Sequence, residues 1–302
     1  MKRSETLFLV DASMYVFRAW HSMPEDFVDV DGHPANAVHG FTRFLLELLE
    51  RQRPLHIAVA FDEALESSFR NERYPAYKAN RDPAPESLKR QFRECQAISR
   101  ALGLATVIDS RYEADDLIGT LLTRQREAGF KGLILSADKD LSQLLREGDQ
   151  QWDYARNQRW DHAGVVERYG VRPQQIPDFL GLTGDSSDNI PGVPGIGPKT
   201  ATALLAHFDN LDTLLARIDE VEFLRMRGAR GHALRLREHA EQARLSRELA
   251  TIALDAPIPE SVGDARRAPV DGAAIAALCE RLRMGVLTRR RISEIEVPGV
   301  AD

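Results

Sequence analysis

The 302-residue sequence has little that would cross-link it or anchor it in a membrane. Its two cysteines, Cys95 and Cys279, lie far apart and match neither a zinc-finger nor a redox spacing. We therefore expect unbridged thiols and a reducing, cytoplasmic location. The apolar run 7–10 ends at an aspartate, which makes it too short for a signal peptide, and no run is long enough to span a membrane.

An excess of positive charge is also missing. The formal net charge is −6, which at first sight argues against a nucleic-acid partner. The distribution of the charge matters more than its sum, because nine of the acidic residues are candidate metal ligands. Without these nine negative charges, the formal net charge of −6 becomes +3. Clustered arginines at Arg225, Arg227, Arg230, Arg235 and Arg237 can then meet phosphates, although a solvated helix face explains each of them equally well.

The pattern of short aliphatic runs predicts an α/β fold. A hydrophobic content of 43% is enough for a sizeable core. Buried strands are predicted at 7–10, 56–61, 104–108 and 132–135, with helices near 37–52, 86–101 and 114–128. This alternation is typical of a largely parallel sheet that is covered by helices on both faces.

Three of the predicted strands end in aspartate, at Asp11, Asp62 and Asp138. Ligands of open α/β sheets bind beyond the carboxyl ends of the strands, so these carboxylates are expected to share one cleft. Each alone is explained as well by an N-cap of the following helix. The three together favour a site.

Further carboxylates extend this set. Glu113, Asp115 and Asp116 precede a predicted helix, where a capping box explains two acids better than three. The complete set of candidate metal ligands is Asp11, Asp62, Glu113, Asp115, Asp116, Asp138, Asp140, Asp185 and Asp188.

So many carboxylates in one cleft repel one another unless cations neutralise them or several stay protonated. Ligation by oxygen alone suits Mg²⁺ or Mn²⁺ better than zinc. Two hard cations are the usual arrangement for cleaving phosphodiesters. The set therefore predicts metal-dependent hydrolysis of a phosphodiester with two or more ions.

Segment 184–201 contains the last two of these acids, followed by a glycine-rich hairpin and by a predicted helix that begins near Pro198. Such a turn and helix N-terminus can bind a phosphate without reading sequence, although any proline- and glycine-rich turn looks similar. The residues expected to contact DNA here are Gly192, Gly195, Gly197, Lys199 and Thr200.

Segment 67–83 mixes basic residues with tyrosines, as single-strand binding requires, and a mobile surface loop is the alternative. Together with the hairpin and the nine carboxylates, this segment makes the sequence from residue 10 to about 255 resemble the 5′ nuclease superfamily. That superfamily includes flap endonucleases and the N-terminal domain of bacterial DNA polymerase I.

The resemblance implies a PIN-like nuclease fold, a helical arch at about 65–92 and a helix–three-turn–helix DNA-binding region. The expected division is a nuclease domain at 1–170, the DNA-binding region at 171–255 and an extension at 256–302 that packs on the core. The resemblance further implies a freestanding nuclease, with a truncated chain as the alternative.

It also implies roles for single residues. All nine carboxylates match the family's metal ligands, and Asp115 and Asp138 are expected to be catalytic. Lys78 and Arg81 are expected to contact the scissile phosphate, and Tyr77 to stack on the terminal base. Arg18, Arg70 and Arg73 are further expected DNA contacts, and relatives hold K⁺ on hairpin carbonyls.

The expected function is a monomeric, cytoplasmic, Mg²⁺-dependent 5′-to-3′ exonuclease and flap endonuclease, in which Mn²⁺ can replace Mg²⁺. Its expected substrate is DNA with a free 5′ end, in primer removal, replication and repair. The alternative is a non-catalytic, structure-specific DNA-binding protein. The balance of the two activities and any activity on RNA stay open.

Overall fold

A computed structural model of the protein describes residues 5–62 and 68–296. Its centre is one six-stranded sheet in the order β3-β2-β1-β4-β5-β6. The first five strands in this order pair in parallel, and β6 pairs antiparallel with β5. The strands are β1 (Thr6–Asp11), β2 (His56–Asp62), β3 (Ala105–Asp109), β4 (Lys131–Leu135), β5 (Gln150–Asp153) and β6 (Gln158–Asp161).

Fourteen α-helices lie within the described residues. Those of the first half are α1 (Ala12–Ser22), α2 (Asn36–Gln52), α3 (Phe69–Arg73), α4 (Glu86–Ala101), α5 (Ala114–Glu127) and α6 (His162–Tyr169). Those of the second half are α7 (Ile176–Thr183), α8 (Pro198–Phe208), α9 (Leu211–Ala216), α10 (Ile218–Val221), α11 (Ala229–Glu238), α12 (Ala240–Ala250), α13 (Gly272–Arg281) and α14 (Val286–Ser293). Short 3-10 helices cover 140–144, 173–175 and 260–262.

Both faces of the sheet are buried, as predicted. Successive side chains of a strand point to opposite faces, so Leu7 and Leu9 join one apolar cluster and Phe8 and Val10 join the other. Helix α5 covers the first face, and α1, α2 and α4 cover the second. The carboxyl ends of β1, β2 and β4 are thereby brought to one edge between these helices.

Residues 68–85, which precede α4, are mostly irregular. The first residues of the predicted arch, 65–67, lie outside the described residues. Helix α3 is five residues long, and residues 74–85 form turns and extended chain up to α4. Pro75, Pro83 and Pro85 explain this, since proline removes a backbone donor and disfavours a helical residue before it.

Helices α7 to α12 form a second, helical region. The glycine-rich hairpin lies between α7 and α8, and the backbones of Asp185 and Ile190 exchange two hydrogen bonds of 2.8 Å within it. Helix α12 packs along α7. The hairpin is therefore held at the base of a helical bundle.

Residues after 255 return to the sheet domain. The N–H of Ile57 donates to the carbonyl of Ala265 at 2.8 Å, and the N–H of Arg267 donates to the carbonyl of Leu55 at 2.9 Å. Helix α13 packs on α4, and α14 packs on α2. Within the described residues, none of the helices is long and apolar enough to cross a membrane.

Candidate metal and nucleic-acid site

Asp11 and Asp138 are joined by one buried serine. Asp11 ends β1, and Asp138 follows the neighbouring strand β4. Ser136 Oγ donates to Asp11 Oδ2 at 2.7 Å and accepts the N–H of Asp138 at 3.0 Å. Burial, together with the carboxylates of Asp62 and Asp138, raises the pKa of Asp11 to about 7. The two strand ends thus place uncompensated negative charge at one point.

Asp62, the last residue of β2, links the sheet to α5. Its N–H donates to Ser13 Oγ at 2.9 Å, and its Oδ1 accepts the N–H of Ala114 at 2.7 Å. Burial raises the pKa of Asp62 and outweighs the opposing effect of Lys78. These bonds bring the third strand-end carboxylate against the acidic start of α5.

Glu113 and Asp115 lie at that start. Glu113 is the N-cap of α5 and accepts a hydrogen bond of 2.6 Å from Lys78 Nζ. Burial opposes ionisation of Glu113, but the charges of Lys78 and Arg70 and the hydrogen bonds to Glu113 together outweigh it and lower the pKa. Burial and the carboxylate of Asp116 instead raise the pKa of Asp115 well above its usual range. The capping box and the acidic cluster therefore coexist here.

Asp116 faces protein donors. Arg70 Nη1 and Nη2 donate to its two oxygens at 2.8 Å each, and the N–H groups of Glu113 and Ala253 donate at 3.1 and 2.8 Å. Arg70 is only 2% exposed, and its Nε donates to the carbonyl of Leu249 at 2.8 Å. In contrast to the sequence prediction, Arg70 has no surface to offer DNA, and it holds Asp116. A metal-ligating role of Asp116 stays a prediction.

Asp138, Asp140 and Asp185 surround Lys139. Asp138 Oδ1 accepts the N–H of Asp140 at 3.0 Å. Asp140 Oδ1 is buried and accepts no hydrogen bond within the described residues, and Lys139 Nζ lies 3.8 Å from it. Burial and Asp138 raise the pKa of Asp140 well above its usual range. Burial also opposes ionisation of Asp185, but hydrogen bonds from Lys139 and Ser187 outweigh it and lower the pKa.

Lys78 and Arg81 lie across these carboxylates. The N–H of Lys78 donates to the carbonyl of Asp188 at 3.0 Å, and its Nζ lies 3.9 Å from Asp188 Oδ2. Arg81 donates to the Asp188 carboxylate, and its Nε donates to the carbonyl of Ser187 at 3.2 Å. Burial opposes the charge of Lys78, but Glu113 and Asp188 outweigh it and raise the pKa. Both cations expected at the scissile phosphate are therefore at the carboxylate cleft.

Tyr77 is packed inside rather than presented to solvent. It is 3% exposed, and its hydroxyl oxygen lies 3.2 Å from a carboxylate oxygen of Glu113 and 3.2 Å from one of Asp188, so its single proton is donated to one or the other. Burial raises the pKa of its hydroxyl. Tyr77 also lines the cavity between α1 and the segment 75–85, and its stacking on a terminal base stays a prediction.

A cavity of about 770 Å³ opens beside these residues, between α1 and the segment 75–85. Among its lining residues are Trp20, Asp62, Lys78, Arg81 and Glu113. Two candidate metal ligands, Asp62 and Glu113, therefore face the same cavity as the two cations, Lys78 and Arg81.

Gly192 serves the packing of the hairpin. Its φ is +61°, its N–H donates to Ser246 Oγ at 3.0 Å, and its carbonyl accepts from Gln242 Nε2 at 2.6 Å. The N–H of Gly192 is buried by these contacts and cannot reach a phosphate, contrary to the expectation for this glycine.

The start of α8 is open instead. Gly197 is the N-cap, Pro198 is the first helical residue, and Gly195, Gly197 and Lys199 are exposed, with Thr200 half-buried. Unpaired N–H groups and the positive end of the helix dipole make this an anion-binding position. DNA contacts and a K⁺ ion at the hairpin stay predictions.

Two other predicted DNA contacts lie on the surface. Arg18 is exposed on α1 and lines a cleft with Arg43 and Tyr154. The side chain of Arg73 is 62% exposed, and its Nε donates to Glu248 at 3.1 Å. No contact described here tests either prediction.

One acidic cluster was missed from the sequence. Carboxylate and imidazole atoms of Asp29, Asp31 and His33 lie within 4.8 Å of one another. Asp29 is fully buried, pairs with Arg90 and accepts the N–H groups of Asp31 and His33 at 3.0 and 2.9 Å. These contacts stabilise the loop before α2, and Arg90 supplies the charge that a metal would.

The main cleft fits a hard divalent cation. Its donors are all carboxylates, as Mg²⁺ and Mn²⁺ prefer, and burial, with a further contribution from neighbouring carboxylates, raises the pKa values of Asp11, Asp62 and Asp138. The buried Asp140 Oδ1 has no hydrogen-bond donor within the described residues.

Comparison with known proteins agrees with this architecture. Residues 6–170 match the family described as 5′-3′ exonuclease, N-terminal resolvase-like domain, and residues 171–273 match 5′-3′ exonuclease, C-terminal SAM fold. DNA polymerase I of Rhizobium leguminosarum is 37% identical over 96% of this chain, and that of Bacillus subtilis is 39% identical over 87%. This chain spans only 28% and 29% of those relatives.

Solved structures share the fold. T5 5′-exonuclease, in a structure with bound divalent zinc ions, has a TM-score of 0.68 at 18% identity, covering 96% of this chain and 98% of its own. The catalytic core of Rad2, in complex with a DNA substrate, has a TM-score of 0.63 at 13% identity, covering 97% and 92%.

A mostly parallel sheet with carboxylates at its carboxyl edge, followed by a helical region with a glycine hairpin, places the chain in the fold class of 5′ nucleases. The chain belongs to the 5′-3′ exonuclease family, whose N-terminal domain matches more than half of it.

Proposed function

We propose that this protein is a divalent-metal-dependent 5′-to-3′ exonuclease and flap endonuclease that hydrolyses DNA at a free 5′ end by a two-metal mechanism. We further propose Mg²⁺ as the ion, with Mn²⁺ as a substitute, and a monomer that acts in the cytoplasm in primer removal, replication and repair.

The observation that carries this proposal is the convergence of carboxylates from five places in the chain. Ser136 joins Asp11 to Asp138, and Lys78 joins Glu113 to Asp188. The backbone of α5 holds Asp62 beside Glu113. A protein without a bound cation gains nothing from concentrating like charges in this way, because their mutual repulsion opposes folding.

Two basic side chains beside the carboxylates, Lys78 and Arg81, also support this proposal. Two bound metal ions would activate a water molecule and neutralise the charge that develops on the phosphate. With Glu113 and Asp188 engaged as ligands, Lys78 and Arg81 would be free to donate to the scissile phosphate. The 770 Å³ cavity gives the 5′ strand a place beside both.

Carboxylate variants test the proposal. We expect Asp115→Asn and Asp138→Asn to reduce Mg²⁺-dependent cleavage of a 5′ flap by at least about a hundredfold, because each removes a ligand charge. Asp161→Asn is the matched control, since Asp161 is an exposed aspartate at a strand end that caps α6 through Gly164 N–H at 2.9 Å. Near-normal cleavage by either cleft variant would refute the catalytic role of the cleft.

The alternative, a DNA-binding protein without catalysis, makes a different prediction. It requires wild-type protein to bind the flap and leave it intact in Mg²⁺ and in Mn²⁺. Binding and product formation followed on the same samples separate the two functions.

A further inference from the structure

A basic segment in the helical region takes no part in the carboxylate cleft. It extends from the end of α10 to the middle of α11, at 223–235. Arg225, Arg227, Arg230 and Arg235 are all exposed, and none of them has an ion-pair partner within residues 5–62 and 68–296. Four uncompensated cations within eleven residues form a local positive patch in a chain whose net charge is −6.

Other arginines of the same helices are neutralised. The pairs that the structure forms are Arg217 with Glu220, Arg237 with Asp219 and Glu222, Arg244 with Glu241, and Arg247 with Asp212. A general excess of arginine therefore does not explain the patch. The four unpaired side chains keep their charge available for an external anion.

The patch is continuous with the glycine hairpin. A Cβ atom at Gly195 would lie 3.1 Å from the guanidinium of Arg235, so this cation lies directly against the hairpin turn. One helical turn earlier, Gly231 has the same guanidinium 4.0 Å from its Cβ position. His232 Nε2 then lies 3.2 Å from the carbonyl of Arg227. Positive charge thus extends from the hairpin along α11.

An aromatic ring stands at the far end of the patch. Phe223 is 85% exposed, more than any other large apolar side chain of the described residues. A single exposed apolar residue is ordinary. An exposed ring beside unpaired arginines is the combination with which proteins contact the apolar and charged parts of a nucleic acid together.

We propose that Arg225, Arg227, Arg230, Arg235 and Phe223, the arginine surface, form a second DNA contact that continues the hairpin contact along the duplex backbone. The arginines bind successive phosphates, and Phe223 packs against the sugars and base edges at the end of the contact. Arg230 and Arg235 lie about 7.5 Å apart along the axis of α11 and about 140° apart around it, so they contact different phosphates. This inference rests on the proposed function, since it assumes a DNA duplex on the hairpin.

Salt dependence of binding tests the arginine surface. Binding of a fluorescent double-flap DNA is measured by anisotropy at several salt concentrations, with all variants in an Asp138→Asn background that prevents cleavage. We expect Arg227→Gln and Arg230→Gln each to lower the slope of log K against log salt by about one. Phe223→Ala is expected to weaken binding about fivefold to tenfold without changing the slope.

Arg237→Gln is the matched control, because Arg237 lies on the same helix but is already paired. We expect it to leave affinity and slope unchanged. If Arg227→Gln and Arg230→Gln keep the parent slope while Lys199→Gln lowers it, DNA uses the hairpin alone and the arginine surface is refuted. If the parent protein does not bind the flap at all, the proposed function fails together with this inference.

Discussion

Gly184 and Gly192 are in direct backbone contact. A Cβ atom at Gly192 would lie 2.2 Å from the nitrogen of Gly184 and 2.5 Å from the carbonyl carbon of Thr183. This contact closes the hairpin onto the end of α7, and α7 packs on α12. Glycine is required at position 192 for this close approach and for its positive φ.

Gly192→Ala is therefore expected to destabilise the protein by about 3 kcal/mol or more, because backbone atoms on both sides prevent relief of the clash. Gly197→Ala is the matched control. Apart from its two chain neighbours, no described residue has an atom within 4 Å of its Cβ position, and its φ of −93° suits any residue. We expect a loss below about 1 kcal/mol there. Urea unfolding followed by circular dichroism measures both, and equal losses would contradict this account of the hairpin.

Arg70→Ala is expected to cost about 3–5 kcal/mol, because it leaves Asp116 charged, buried and without its guanidinium. Arg70→Lys is expected to recover only part of this, since lysine cannot make the bidentate contact. Arg73→Ala, three residues along, removes an exposed pair and is expected to cost less than about 1 kcal/mol. Chemical denaturation compares the three, and a tolerated Arg70→Ala would show that Asp116 does not depend on this arginine.

Ser136→Ala removes the hydroxyl that joins Asp11 to Asp138. The two carboxylates then lose their fixed relative position, so we expect the Mg²⁺ concentration for half-maximal cleavage to rise about tenfold. Mn²⁺ calorimetry without DNA provides a second measurement of the same effect. Ser293→Ala is the control, since its hydroxyl donates to the carbonyl of Arg290 within α14 and lies far from the carboxylate cleft in sequence. An unchanged metal requirement in Ser136→Ala would contradict the role of this serine.

The pKa of Asp11 predicts a pH effect on stability without metal. It is raised from 3.8 to about 7 in the folded protein, so the folded state binds the proton more tightly than the unfolded state. The resulting stabilisation is complete below the unfolded pKa and is lost as pH rises through about 7. In EDTA, the melting temperature should fall between about pH 4 and pH 7 and then level off, and Mg²⁺ should reduce that fall. Asp11→Asn should show a shallower fall in EDTA, and an equally steep one would rule out Asp11 as a source.

The sequence predicted those parts of the fold that have a strong local pattern. The aliphatic runs of β1 to β4 and the helices α2, α4 and α5 were confirmed, because buried parallel strands consist almost wholly of apolar residues. Strands β5 and β6 were missed, since Gln150–Asp153 and Gln158–Asp161 carry mainly polar residues. Helix α1 was missed because it begins directly after the last residue of β1.

The sequence could predict the site residues that lie at or just after the ends of strands, namely Asp11, Asp62 and Asp138. Sequence could not show the burial of Arg70, because its partners at Asp116, Leu249 and Thr251 are brought to it only by the tertiary fold. An arginine in a basic, tyrosine-containing segment resembles a surface residue until that packing is known. For the same reason, the sequence could not predict that the N–H of Gly192 donates to Ser246, which lies 54 positions away.

The most direct test of the central claim is gel-resolved cleavage of a 5′-end-labelled double-flap DNA by the wild-type protein, in Mg²⁺ and in EDTA, beside the unbranched duplex and the single strand. The account predicts Mg²⁺-dependent cuts near the base of the flap and no product in EDTA. Tight binding of the flap without any cut in Mg²⁺ or Mn²⁺ would contradict it and would make the carboxylate cleft part of a recognition protein.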